Sequence, residues 1–265
     1  MIAWGSDKSK LRQNYSNVHY IEDRFSHAKL HNDLIKANQV VVLGNSLEAF
    51  QIAQSTRTYL DEIGRYNTKI LLMTTEGSEL RKTLGKGMEN WLKIELKKQR
   101  ISLQSAVKIT KMEGDNDLEA IFYNREQDYE NEKIPDTDYF VKPDIVICEN
   151  GIARPKKELL QMVGYQDQGS EKKISMNIDQ IPTTNIRFSL IHNDIYSPIL
   201  AVGSCAEYPS FVQKQRMRID DVSHNIEAGF FAAMNMLDKR VEFRYIPHTY
   251  LNINDKPVHF VGERN

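Results

Sequence analysis

Short blocks of consecutive apolar residues alternate along this chain with stretches whose apolar positions recur every three or four residues. Val40-Val41-Val42-Leu43 follows Gln39 and ends at Gly44. Four consecutive apolar residues, mostly β-branched, predict a strand buried on both faces, as in a parallel sheet. Lys69-Ile70-Leu71-Leu72-Met73 and Asp144-Ile145-Val146-Ile147-Cys148 repeat the pattern, and Ile199-Leu200-Ala201-Val202-Gly203 predicts a fourth such strand. Between the first two blocks, Leu47, Phe50, Ile52, Ala53, Tyr59, Leu60 and Ile63 carry a helical period. Ala28, Leu30, Leu34 and Ile35 predict a helix over Ser26–Ala37, and Trp91, Leu92, Ile94 and Leu96 predict one over Met88–Gln99. Further strands are expected at Ile101–Ile109 and Ala120–Tyr123, on either side of a Gly-Asp-Asn-Asp turn at 114–117. Residues 126–138 are charged and aperiodic, as an exposed loop is. A short helix is expected over Lys156–Met162 and a long amphipathic one over Asp220–Leu237. From Val241 onward the alternation is loose and interrupted by Pro247 and Pro257, which predicts short antiparallel strands.

The strand, glycine turn, helix and second strand that run from Gln39 to Thr75 have the size of a mononucleotide-binding unit. The expected fold class is therefore α/β with a Rossmann-like, NADH-binding-type domain. The dinucleotide fingerprint Gly-x-Gly-x-x-Gly/Ala tests whether such a turn is built for phosphate. Here it reads Gly44-Asn45-Ser46-Leu47-Glu48-Ala49. The first glycine is present, and Ala49 is an accepted third residue. Ser46 replaces the second glycine, placing a Cβ and a hydroxyl where a pyrophosphate would come close. Glu48 puts a negative charge in the first helical turn, which favours the helix dipole and opposes an anionic ligand there. Glu76, at the end of the second strand, stands where a ribose-binding acid belongs. A strand–glycine–helix join that binds nothing is the plain alternative.

Charge and composition narrow the partners. Thirty-five basic against 36 acidic residues leave a formal net charge of −1, which argues against a general polyanion binder. The basic clusters Lys97-Lys98-Gln99-Arg100 and Lys214–Arg218 read as solvated helix faces, so no nucleic acid is expected. Phe230–Met234 is the longest strictly apolar run, far short of the roughly 18–20 residues of a membrane span. Two cysteines, Cys148 and Cys205, cannot build a disulfide framework or a four-cysteine zinc site. His27 and His31 form the one helical i, i+4 histidine pair, without a third ligand nearby, so no metal is expected. Gly203-Ser204-Cys205 lacks the Gly-x-Ser-x-Gly nucleophile elbow. Residues 1–20 are polar and mildly basic and fit either an uncleaved lead-in or a mitochondrial-type address.

The order of these motifs resembles the pyridine nucleotide–disulfide oxidoreductase superfamily, and within it the apoptosis-inducing-factor family of mitochondrial flavoproteins. Val40–Ala53, Lys69–Glu76 and Leu84–Leu103 resemble the NADH domain, with Glu89-Asn90-Trp91-Leu92 leading into Lys97-Lys98. Asp144–Pro155 resembles the strand that closes that domain, with Gly151 at the family's glycine and Pro155 one residue late. Ile199–Ala206 is similar to the family's second flavin motif, Ile-x-Ala-x-Gly-Asp-x-Ala. Ala232-Ala233-Met234-Asn235-Met236 is similar to the end of the helix that follows it. The resemblance covers roughly residues 18–262.

Its departures bear on function. Ser204 replaces the aspartate that would hold the flavin ribitol, and a hydroxyl lacks the charge-assisted strength of a carboxylate. Gln51 replaces the glutamate of the NADH-domain helix. The first flavin-binding half has no counterpart before Val18, and the C-terminal domain is matched only at its start. The resemblance thus implies a lead-in and connecting helix over 1–36 and an NAD(P)-binding-like domain over 37–155. A partial FAD-domain remnant over 156–239 and a short β-rich tail over 240–265, the start of a truncated C-terminal domain, complete it. The residues at cofactor positions are Gly44, Asn45, Ser46, Leu47, Glu76, Gly151, Gly203 and Ser204; no catalytic residue is assigned. No cofactor is expected on this chain alone, with NAD(H) or FAD entering only if a partner completes the site. The leading expectation is a degenerate, non-catalytic homologue serving as an accessory subunit of a larger mitochondrial assembly. The alternatives are the NAD(P)H-binding half of a split FAD-dependent oxidoreductase, completed by a separate FAD-half chain, and an NAD(H)-sensing module. Because few strands are expected beside Ile199–Gly203, other subunits are expected to cover it.

Overall fold

The computed structural model describes residues 11, 13–75, 79–125, 138–149, 181–192, 195–212, 214–219, 221–254 and 256–262. Glu76, Gly151, the 156–162 helix and nearly all of the charged 126–138 stretch lie outside the described residues. The chain divides into two compact units.

Leu11–Asn150 with Asn252–Lys256 forms the first unit. Its strands are β1 (Val18–Tyr20), β2 (Gln39–Leu43), β3 (Lys69–Thr75), β4 (Ile101–Glu113), β5 (Ala120–Arg125), β6 (Tyr139–Val141) and β7 (Ile145–Cys148). They make one seven-stranded sheet in the order β1-β7-β2-β3-β4-β5-β6. The five strands from β1 to β4 are parallel, and β5 and β6 add on antiparallel. Val40, Val41 and Val42 are wholly buried, as a central parallel strand requires. The register sets Val41 between Val146 and Leu71. Asp144 fixes the β2–β7 pair at its N-terminal end, where its carboxylate accepts from the amides of Asn38 (2.7 Å) and Gln39 (2.9 Å).

Three helices serve this sheet. The first, α1 (Arg24–Leu34), starts on a reciprocal cap in which the Asp23 carboxylate accepts from the Ser26 amide and the Ser26 hydroxyl accepts from the Asp23 amide. The second, α2 (Leu47–Glu62), is capped by Ser46 and buries Ala49, Phe50, Ile52, Ala53 and Leu60. The third, α3 (Glu79–Lys98), begins nine residues before the expected Met88 and is broken at Gly85, whose φ of 76° only glycine adopts cheaply. On α3, Ile94 is exposed and Glu95 is buried, the reverse of the expected apolar face. Glu95 accepts from Lys98 (2.9 Å), Lys256 (2.7 Å) and Asn254 (2.9 Å), and these donors hold its carboxyl down at about 2.

Gly151–Leu251 with Pro257–Glu263 forms the second unit. It contains the antiparallel pair β8 (Ser189–His192) and β9 (Ile195–Leu200), a 3-10 turn at Gly203–Cys205, and the short pair β10 (Tyr208–Pro209) and β11 (Arg216–Met217). Helix α4 (Val222–Met236) follows, and then the β12 (His248–Ile253) and β13 (Lys256–Val261) hairpin, whose turn residues group with the first unit. Phe188, Leu200, Val202, Tyr208, Met217, Ala228, Ala232 and Phe243 form its core.

Here the structure corrects the strand expected at Ile199–Gly203. The strand ends at Leu200 and pairs antiparallel with β8, while Gly203 opens a tight turn at φ 80°. Leu200, Ala201 and Val202 are buried by the chain itself, so this segment is not the bare surface it was expected to be. The outward apolar row lies instead on α4, where Val222, Ile226, Phe230 and Leu237 are 61–74% exposed. Ala228 and Ala232 bury the opposite side of the same helix.

Candidate functional site

In an open α/β sheet, ligands bind beyond the carboxyl ends of the strands, where successive connections leave in opposite directions. In the first unit that place lies beyond β2, which has β3 on one side and β7 on the other. The Gly44 amide donates to the Met73 carbonyl (3.1 Å), and the Glu149 amide donates to the Leu43 carbonyl (2.7 Å). The two strand ends therefore leave Gly44, Asn45, Ser46 and Glu149 side by side at the start of α2.

A helix start offers unpaired amides and a positive dipole end, the features that bind phosphate in nucleotide proteins. In this chain those features are taken by Glu149. Its Oε2 accepts from the Asn45 amide (2.7 Å) and the Ser46 amide (3.0 Å), and the Ser46 hydroxyl donates to Oε1. Ser46 Oγ also accepts from the Glu48 amide (3.0 Å), so one hydroxyl caps the helix and clasps the carboxylate. Burial pushes the Glu149 carboxyl up, and Glu48 adds to that push. The Ser46 hydroxyl and the Ser46 and Asn45 amides hold it down without cancelling the burial.

Gly44 is needed here for closeness rather than for an unusual backbone angle. A Cβ on Gly44 would lie 2.2 Å from Glu149 Oε2, 2.5 Å from Glu149 Cβ and 2.6 Å from Ala49 Cβ. The bare face of the glycine admits a carboxylate where a dinucleotide protein would admit pyrophosphate. Gly44→Ala should thus displace Glu149 and strain the β2–α2 join, costing about 1–3 kcal/mol, as overpacking does. Urea unfolding of the two proteins measures this, and equal stability would show that the join yields freely.

The other expected positions behave differently. Leu47 is the first residue of α2, and Asn45 contributes through its backbone amide. Gly203 and Ser204 lie in the 3-10 turn of the second unit, where Ser204 is buried and its carbonyl accepts from Arg218 Nε (2.7 Å). The 44–47 group and the 203–204 group belong to separate units. Asp221 caps α4 through the Ser223 and His224 amides, a structural use of a carboxylate. Both cysteines are buried, and burial pushes the Cys148 thiol up to about 12, far from the reactive range. Of the basic clusters, Arg100 pairs with Asp61 through both carboxylate oxygens (2.8 Å each), and Arg216 donates to the Thr184 carbonyl (3.0 Å). Among the described residues, no helix is long and apolar enough to cross a membrane.

Sequence reasoning missed Glu149, the residue that defines the site. The signal was available in its position, since a residue directly after a buried parallel strand emerges at the ligand end of the sheet. An acid there faces the glycine turn of the neighbouring strand.

The chain shares its fold with solved oxidoreductases, an α/β architecture built on a mainly parallel seven-stranded sheet. Its solved counterparts make this concrete. The chain is similar to one in the covalent putidaredoxin reductase–putidaredoxin complex (TM-score 0.75, 17% identity), covering 98% of this chain and 56% of that one. It is similar to the ferredoxin reductase for the CYP199A2 system from Rhodopseudomonas palustris (TM-score 0.76, 14% identity), with 98% and 57% covered. A NAD-dependent persulfide reductase from A. fulgidus matches with TM-score 0.72 and 14% identity over 97% and 42%. The chain thus spans about half the length of these structures. No protein-family model and no curated protein matches the sequence.

The cradle does not fit the dinucleotide that this fold implies. Two amides that would face a pyrophosphate already donate to Glu149, and the occupant has the same sign of charge as the phosphate.

Proposed function

We propose that this chain is a non-catalytic accessory subunit of a larger assembly, an oxidoreductase homologue whose nucleotide cradle is closed by its own Glu149. The carboxylate on the Asn45 and Ser46 amides is the observation that carries this reading. The sequence resemblance supports the finer assignment, an apoptosis-inducing-factor-like homologue in a mitochondrial assembly. The outward row of α4 supports the subunit role, because a helix apolar on two sides is built to be covered on both. Burying each of its large side chains is worth about 1.5–3 kcal/mol. The covering partner is another polypeptide supplying the part of the oxidoreductase fold that this chain does not span. The half-length match to the solved structures favours one further reading, a split FAD-dependent oxidoreductase in which this chain is the NAD(P)H half. That reading needs Glu149 to leave the cradle.

The test is purification of the native assembly through a tag on this chain, followed by a flavin absorbance scan and an NADH titration. The accessory role predicts a defined partner, no NADH response from this chain, and loss of the partner in Ile226→Glu and Phe230→Glu variants. Flavin in the partner that is reduced by NADH through this chain would establish the split enzyme instead.

A further inference from the structure

The outer face of the β12–β13 hairpin carries two imidazoles that the closed cradle does not involve. His248 and His259 are both exposed, whereas Ile253 and Val258 are buried on the other side of the strand alternation. His248 Nε2 stands 3.2 Å from His259 Nδ1, with the rings 10° from parallel and their centroids 5.4 Å apart. As a bare pair, one ring donates its N–H to the other's lone pair.

We propose that this pair is a chelating site for a late first-row divalent metal ion, with Cu2+ held most tightly. Imidazole nitrogen bonds such ions at about 2.0–2.1 Å. Two nitrogens on one ion then lie about 2.9 Å apart at a right angle and about 3.4 Å apart at a tetrahedral angle. The observed 3.2 Å falls between these values, so the backbone already supplies the bite. Only the ring torsions must turn to aim both lone pairs at one point, and that torsion is broad for histidine. Imidazole ligands and the general stability order of these ions select Cu2+ ahead of Zn2+. Among the described residues no cluster of three or more ligating side chains occurs, so the ion's remaining positions stay open to water or to an incoming donor. Sequence spacing hides such a pair, since its members are eleven residues apart and meet only across a hairpin.

The experiment uses the full chain carrying His27→Ala, which removes the competing helical pair His27/His31. Titration calorimetry with CuCl2, followed by electron paramagnetic resonance, should give one equivalent bound with nitrogen hyperfine structure from two imidazoles. His248→Ala and His259→Ala should each weaken binding at least ten-fold while circular dichroism is unchanged. Uptake equal to the parent in both variants, or a spectrum without two-nitrogen coupling, overturns the proposal.

Discussion

NADH added to the native chain should give no saturable binding up to millimolar concentration, and Glu149→Gly combined with Ser46→Gly should create it. A phosphate entering the cradle meets the Glu149 carboxylate on the same two amides. Two unit charges about 4 Å apart in a partly screened site repel by about 4 kcal/mol, which is roughly a thousand-fold in affinity. Ser46→Gly then removes the remaining obstruction at small cost to the helix, since glycine is only a few tenths of a kcal/mol worse at an N-cap. Glu149→Gln separates the two causes. It keeps the shape and removes the charge, so it should recover part of the gain if repulsion dominates and none if space does. Fluorescence of bound NADH reads all three proteins. Micromolar binding by the native chain would contradict the closed-cradle reading outright.

The fate of the glycine turn shows what a sequence can and cannot disclose. The three central parallel strands and α2 were legible because periodicity and burial are local properties. Val40–Leu43, Ile70–Met73 and Ile145–Cys148 lie where their apolar runs put them. Ser46 stands out in the sequence as the residue in place of the second glycine, yet its partner lies 103 residues away and reaches it only through the β2–β7 pairing. Strand β1 was missed because three residues carry no readable period. Ile199–Gly203 was misjudged because four apolar residues before a glycine do not distinguish a parallel central strand from the end of a hairpin followed by a turn. Distance along the chain hid the buried Glu95, whose three donors include Asn254 and Lys256, more than 150 residues along the chain. Each miss is a long-range pairing that overrides a local pattern.

The pairing of β9 also changes the reason to expect a partner. Its original basis was an unpaired strand, which would leave backbone groups without partners. The strand proves to be paired with β8, and Leu200, Ala201 and Val202 are buried, so no bare strand is left to call for a partner. What replaces it is a helix with two apolar sides. One side closes the second unit's own core through Ala228 and Ala232, and the other presents Val222, Ile226, Phe230 and Leu237 at intervals close to one or two helical turns. A row of that kind is non-directional in its attraction, so a charge introduced at its centre should detach a partner without disturbing the inner side.

The second large effect concerns pH. His224 is buried against Tyr208, stacked at 5.2 Å between centroids, with Phe243 and Tyr245 edge-on. Burial pushes its imidazole from 6.5 down to about 4, against a smaller opposing pull from Asp221. Between these two values the unfolded chain takes up a proton that the folded chain refuses. Stability from this group is therefore complete above about pH 6.5 and is lost as pH falls to about 4, by at most about 3 kcal/mol in total. Two carboxyls with shifts of their own can be told apart from it. Glu95 is depressed to about 2, so its loss begins only below 4.5. Glu149 is raised, so its protonation on the folded side favours the native state as acid is added through the range above 4.5. His224→Phe keeps a ring in the aromatic cluster and removes the titrating group. The difference in unfolding free energy between it and the parent should be flat above pH 6.5 and should narrow or reverse in favour of phenylalanine toward pH 4. Denaturant unfolding at half-unit steps of pH measures that difference, and parallel curves across the whole range would show that His224 does not titrate against folding.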